Sequence, residues 1–168
     1  IELDKIPYDS KFIFEEIGYN FLPTEISAAF GLVQLKKLKK FSEIRQKNFD
    51  NLYSFFSNSK FFKVPKQLPQ VKTSWLAFPL TITFNAPFSR MELVKYLETN
   101  NIQTRPIFTG NVLRQPAFKK INYKNIGKEF SVANNIMENS FLIGCNHGLN
   151  EKHMEKIKQS FTSFLDRF

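Results

Sequence analysis

The chain has 168 residues, 42% of them apolar, and a formal charge of +9; this length supports one domain with a real core and argues against a second full domain. Its single cysteine, Cys145, excludes an intrachain disulfide, a closed zinc site and an iron–sulfur cluster held by this chain alone, and it suits a reducing, cytoplasmic setting. No apolar run approaches the roughly 20 residues that a membrane span needs, and the positive charge draws anions over long range.

The chain opens at Ile1 rather than Met, in a polar stretch without a signal-peptide pattern. That start suggests a piece cut from the C-terminal part of something longer. Residues 1–17 read as an irregular or extended lead-in. Pro23-Thr24-Glu25 is a helix start, since Pro is tolerated in the first turn and an acid there suits the dipole. Ile26, Ala29, Phe30 and Val33 keep the spacing of one helical face, with Gly31 inside it as a close-packing point or a kink. The pattern continues through Leu35, Leu38, Phe41, Ile44, Phe49, Leu52, Tyr53 and Phe56, so a bend is expected near residues 38–42. Lys36, Lys37, Lys39 and Lys40 form the densest basic group and read as a solvated helix face.

Residues 64–70 hold two prolines and read as a loop. Trp75–Phe84, "WLAFPLTITF", is a strand candidate whose Pro79 argues for an edge position or a bulge. Ser89 with Glu92 has the spacing of a capping box, opening a helix to about Asn100. Ile102–Ile107 is a second short strand, residues 108–127 a long loop, Lys128–Asn139 a helix and Phe141–Gly144 a short buried strand. Asn150 or Glu151 opens a last helix with an apolar stripe of Met154, Ile157, Phe161, Phe164 and Leu165. Twenty phenylalanines point to a core of large flat side chains. The order of elements describes an α+β domain behind a long leading helix.

Three stretches could carry chemistry. Gly18-Tyr19-Asn20 precedes the long helix, where free backbone N–H groups bind anions; the plainer reading makes Asn20 a turn residue and Tyr19 a core residue. Thr104-Arg105-Pro106 leads into Gly110-Asn111-Val112-Leu113-Arg114-Gln115-Pro116. Arg105 and Arg114 could each grip a phosphate or carboxylate, Gly110 permits close approach and Asn111 both donates and accepts; the alternative is a pair of solvated arginines, with Arg114 tying the loop to the domain. Ile143-Gly144-Cys145-Asn146-His147-Gly148-Leu149 sets His147 after a buried strand, facing a cleft or satisfied in a turn. His153, on a polar helix face, earns no role, and Cys145 reads as a buried structural thiol. GxSxG, Walker, GxGxxG and HExxH patterns are absent from the sequence, and no complete catalytic apparatus can be assembled within it.

"GYNFLPTEISAAFGLVQLKKL" and "IRQKNFDNLY" resemble the signature region of the DegT/DnrJ/EryC1/StrS family, pyridoxal-phosphate-dependent enzymes that modify nucleotide-linked sugars. "IQTRPIFTGNVLRQPAF" and "FLIGCNHGL" resemble its branch of NDP-4-keto-6-deoxyhexose 3-dehydrases, which remove a sugar 3-hydroxyl in deoxysugar and lipopolysaccharide biosynthesis. Plain sugar aminotransferases of the family carry a His-x-x-Pro-type segment where Gly110 to Pro116 stand. The resemblance covers nearly the whole chain and implies the C-terminal small domain of an α/β aspartate-aminotransferase-like fold. A lead-in and long interdomain helix would occupy residues 1–58 and a small, mostly antiparallel sheet with packed helices residues 59–168, with the cofactor-binding domain upstream.

The resemblance further implies a homodimer in which Asn20, with Tyr19, reaches the pyridoxal or pyridoxamine phosphate of the neighbouring subunit. It places the loop of Arg105, Gly110, Asn111 and Arg114 near the active site, where these residues, with His147, would bind the nucleotide-sugar. The aspartate that pairs with the pyridine nitrogen, the position that is Lys in aminotransferases and His in dehydrases, and the cysteines of any [2Fe-2S] variant would all lie upstream. Neither His147 nor His153 matches that Lys/His position, so this piece alone is expected to be inert. Two rivals stand beside the dehydrase: a sugar aminotransferase of the same family, and a basic non-enzymatic anion-binding module. A nucleic-acid partner is disfavoured by scattered lysines and the lack of an RRM, KH or helix-turn-helix pattern.

Overall fold

The computed structural model describes residues 2–3, 6–7, 21–108, 110–115, 118, 122–124 and 130–168. The chain divides into two compact units, residues 1–37 and 38–168. In the first, strands β1 (Glu2–Leu3) and β2 (Ile6–Pro7) pair antiparallel, Glu2 opposite Pro7 and Leu3 opposite Ile6. Helix α1 (Glu25–Phe56) starts where the sequence predicts. Thr24 Oγ1 accepts the Ser27 N–H at 3.3 Å, which satisfies one of the donors a helix start leaves unpaired.

The helix is uninterrupted through residues 38–42, where its length suggests a bend. Leu38, Lys39 and Lys40 of that stretch are strong helix formers, and no proline breaks it. Its apolar pattern divides in two: Phe49, Leu52 and Phe56 are buried, whereas Ile26, Phe30 and Leu35 are 85%, 67% and 63% exposed. A side chain added at Gly31 would meet nothing within 4 Å, so no packing among the described residues requires a glycine there. The lysines at 36, 37, 39 and 40 are exposed, as a solvated face requires.

The second unit is built on a four-stranded antiparallel sheet in the order β3-β4-β6-β5. These strands are β3 (Phe62–Lys63), β4 (Ala77–Ile82), β5 (Thr104–Pro106) and β6 (Ser140–Gly144). β3 has no counterpart in the sequence reading, because two residues are too few to show a period. β4 alternates half-buried and buried positions, with Phe78, Leu80 and Ile82 on one face beside Phe141 and Ile143 of β6. Pro79 is tolerated for a definable reason. Cys145 donates its N–H to the Leu76 carbonyl, so alternate residues Phe78 and Leu80 bond toward β6 while Pro79 points to the β3 side. There β3 covers only Thr81 and Ile82, and the missing N–H of Pro79 meets no strand.

The phenylalanines fill the space between this sheet face and the helices. Phe56 of α1 meets Phe161 edge-on at 4.7 Å and Phe62 at 5.4 Å, and Phe49 stacks on Trp75 at 4.2 Å. Such pairs add about 0.5–1.5 kcal/mol each to plain burial. Helix α2 (Arg90–Thr99) carries the expected box: Ser89 accepts from Glu92 N–H and Glu92 Oε2 accepts from Ser89 N–H. Asn101, just past the helix, takes φ +59, a left-handed conformation that Asn accepts readily. Helix α3 (Ser131–Asn139) leads directly into β6, and helix α4 (Glu151–Leu165) closes the unit, burying Met154, Ile157, Phe161 and Phe164.

Candidate functional site

The residues singled out in the sequence fall into two groups at opposite ends of β6. β5 runs antiparallel to β6 with Thr104 opposite Ile143 and Pro106 opposite Phe141. The segment after Pro106 therefore leaves at the start of β6, whereas His147 follows its end.

The first group packs on α3. Gly110 has φ +61, and a Cβ there would lie 2.5 Å from Met137 Cβ, so both its conformation and its contact require glycine. Asn111 is buried; its Oδ1 accepts from Leu113 N–H, opening a short 3-10 turn at Val112–Arg114, and its Nδ2 donates to Asn134 Oδ1 at 2.8 Å. Arg114 pairs with Glu138 of α3, an ion pair half open to water and worth about 0–1 kcal/mol. In the described state, then, Asn111 and Arg114 tie the loop to the domain. Arg105 differs. It is exposed, opposite Leu142 on the sheet face away from the phenylalanine core, and its guanidinium makes no hydrogen bond or ion pair among the described residues. Tyr19 and Asn20 lie outside the described residues.

The second group is assembled by α1. Phe41, Arg45 and Asn48 lie three and four residues apart and so share one helical face. Phe41 stacks on the His147 ring, centroids 3.8 Å apart and planes 20° from parallel. Arg45 directs Nε and Nη2 at His147 Nδ1, 3.3 and 3.1 Å away, while its Nη1 donates to Ser74 Oγ at 3.1 Å. Ser74 Oγ also meets Ser42 Oγ at 3.2 Å. Asn48, buried, donates its amide to the carbonyls of Asn146 and Leu149 at 2.9 and 3.2 Å. Ring face, ring edge and backbone on both sides of His147 are thus fixed. His147 opens onto a cavity of about 750 Å³ between α1 and the start of α4, rimmed by Lys47, Asn51, Glu151 and Lys152.

Arg45 and Asn48 were missed in the sequence because their partners lie 102 and 98 residues away. His153 receives a role the sequence did not assign. Its Nδ1 accepts the Asn150 N–H at 3.1 Å while Asn150 Oδ1 accepts the His153 N–H, a capping box with His in the acid's place. Cys145 is fully buried, as expected. Burial pushes its thiol up to about 12; the charge of Asp50 adds to the shift and that of Arg45 opposes it.

Among the described residues no lysine is fully buried, and no group of three His, Cys, Asp or Glu could hold a metal. A desolvated amine or a carboxylate facing a pyridine nitrogen is what pyridoxal chemistry requires. The described residues do not form that pocket by themselves.

Residues 4–162 match the DegT/DnrJ/EryC1/StrS aminotransferase family. The chain is 35% identical, over 98% of its length, to the lipopolysaccharide biosynthesis protein RfbH of Salmonella typhimurium, covering 38% of that protein. It is also 35% identical, over 92% of its length, to the GDP-4-keto-6-deoxy-D-mannose 3-dehydratase of Yersinia pseudotuberculosis, again covering 38%. Among solved structures, the E. coli GDP-4-keto-6-deoxy-D-mannose-3-dehydratase with bound hydrated PLP superposes with a TM-score of 0.77 at 28% identity. That match takes in 89% of this chain and 38% of the other. The fold is thus aminotransferase-like and α+β in this segment, and the chain spans a little over a third of its relatives' length.

Proposed function

Because the chain belongs to the DegT/DnrJ/EryC1/StrS aminotransferase family, we propose that it is part of a pyridoxal-phosphate-dependent enzyme that removes the 3-hydroxyl of a nucleotide-linked 4-keto-6-deoxyhexose. GDP- and CDP-sugars are the substrate class, and deoxysugar synthesis for a surface polysaccharide is the setting. The observation that carries this reading is the 35% identity to the Yersinia 3-dehydratase across 92% of the chain. The RfbH match supports the polysaccharide setting, and the bound PLP of the E. coli dehydratase structure supports the cofactor. Arg105 suits a diphosphate, as an exposed guanidinium with no hydrogen bond or ion pair among the described residues.

In this reading the protein is a cytoplasmic homodimer, and Tyr19 and Asn20 serve the cofactor phosphate of the neighbouring subunit. The apolar residues exposed on the first half of α1 support an assembled state, since a contiguous apolar stripe on a soluble protein marks a contact surface. No helix among the described residues is long and apolar enough to cross a membrane. Amino transfer is the second reading, favoured by the family's aminotransferase membership and by a 26% identical transaminase of E. coli.

Incubating the full-length protein with GDP-4-keto-6-deoxymannose, pyridoxamine phosphate and glutamate separates the two by product mass. A sugar lighter by one oxygen supports dehydration. A sugar whose ketone has become an amine supports transamination, and a sugar left unchanged in both its GDP-linked and its CDP-linked form removes both.

A further inference from the structure

Guanidinium is a donor at every nitrogen and does not lose its proton in proteins. Two of its N–H groups converge on His147 Nδ1, so that nitrogen must offer a lone pair. The imidazole proton is then carried by Nε2, because the bond made at one ring nitrogen sets the state of the other. Arg45 is itself held by Ser74, Phe41 covers the ring, and Asn48 pins the backbone on both sides. This is a large apparatus for one half-buried side chain, and a turn histidine that only filled space would not require it.

We propose that Arg45 is a positioning residue that holds Nδ1 of His147 as an acceptor and leaves Nε2–H as the donor, and that His147 uses this donor to bind an oxygen of the nucleotide-sugar, a hydroxyl or a phosphate, rather than to transfer a proton. The inference rests on the nucleotide-sugar reading above for the ligand; the tautomer is argued from the geometry alone. A ring whose Nδ1 is closed by a permanent cation can give a hydrogen bond from Nε2, but it has no route for relaying a proton through its far side. The same cavity is lined by Lys47, Lys152 and Lys158 against Glu151 and Glu155; Lys47 pairs with Glu151 and Lys158 with Glu155, which leaves Lys152 as the cation that favours an electron-rich ligand.

The test has two arms in the full-length protein. In the first, histidine is labelled with ¹⁵N and the ring nitrogens are read by long-range proton–nitrogen correlation at mildly alkaline pH, with His147→Gln used to assign the signal. A single Nε2–H tautomer that becomes mixed in Arg45→Met is expected. An Nδ1–H tautomer in the unmodified protein, or no change in Arg45→Met, overturns the positioning role.

In the second arm, His147→Ala should raise KM for the nucleotide-sugar about tenfold, the loss of one useful hydrogen bond, with little change in kcat. His147→Gln, whose amide N–H stands near the place of Nε2–H, should recover most of that loss. A fall in kcat that Gln does not rescue makes His147 a proton-transfer group, and KM values equal to those of the unmodified protein put the ligand elsewhere; either result sinks the binding half of the proposal. If the unmodified protein turns over no nucleotide-sugar, it is the functional reading that fails, and the labelling arm still decides whether Arg45 sets the tautomer.

Discussion

Gly110 is constrained twice over. Its φ of +61 is a conformation that costs a residue with a side chain about 1–2 kcal/mol. A methyl group there would also overlap Met137, whose Cβ and Cα lie 2.5 and 2.8 Å from the place it would take. The Cα belongs to the helix backbone and cannot rotate away, so overpacking adds about 1–3 kcal/mol. Gly110→Ala is therefore expected to destabilise the unit by about 2–5 kcal/mol, read as a lower urea midpoint with an unchanged slope. Asn111, next to it, shows how one residue type fits two readings. An amide that can both donate and accept suits a sugar hydroxyl, and it suits equally the turn and the Asn134 side chain that it serves here.

Helix α2 is clasped at both ends by carboxylates. Glu92 accepts the Ser89 N–H at 2.7 Å, and Glu98 accepts both the N–H and the hydroxyl of Thr104 at 2.6 and 2.8 Å. These backbone and hydroxyl bonds hold both acids below their usual value of 4.5. A carboxyl lowered in the folded state adds stability that is present above its unfolded pKa and is lost as pH falls through the folded one. Stability should thus decline on acidification below about 4.5, and in Glu92→Gln/Glu98→Gln that acid limb should be shallower. Urea midpoints measured across the pH range check this; an acid limb as steep as in the unmodified protein would show that the clasps contribute nothing. The first clasp was legible in the sequence because its partners are three residues apart. The second joins a helix end to a strand start across a turn, and no fixed spacing announces it. Likewise β3 has too few residues for a pattern, and the place of Pro79 depends on how far its neighbour strand extends.

At the scale of the whole molecule, what could be read in advance was periodicity, and what could not was long-range partnership. The α1 pattern shows which residues share a face, yet it does not tell that Phe49, Leu52 and Phe56 meet this chain's own core while Ile26, Phe30 and Leu35 do not. In the same way, "GCNHG" marks His147 as notable, but the spacing of Phe41, Arg45 and Asn48 looks like any helix face until the loop lies on it. Helical spacing of an aromatic, an arginine and an asparagine is the signal that could have been followed. If the exposed half of α1 is buried in the assembled protein, Phe30→Glu removes a large apolar contact and places a charge against it. The apolar loss alone is about 1.5–3 kcal/mol, so the dissociation constant of the proposed dimer should rise at least about tenfold. Sedimentation equilibrium of the full-length protein checks this, and an unchanged constant would leave Phe30 outside the contact.

Cys145 lies where the end of the sheet, the His147 loop and α1 come together, with its thiol donating to the Arg45 carbonyl. It has no exposed surface and a titration point pushed up to about 12, so in the closed state it offers alkylating reagents neither access nor the thiolate they need. Every modified copy of this sulfur is therefore the scar of a moment when that junction had come apart. In a long incubation, the labelled fraction of the Cys145 peptide keeps time for the junction, growing with the time it spends open and standing still while α1 grips the histidine loop.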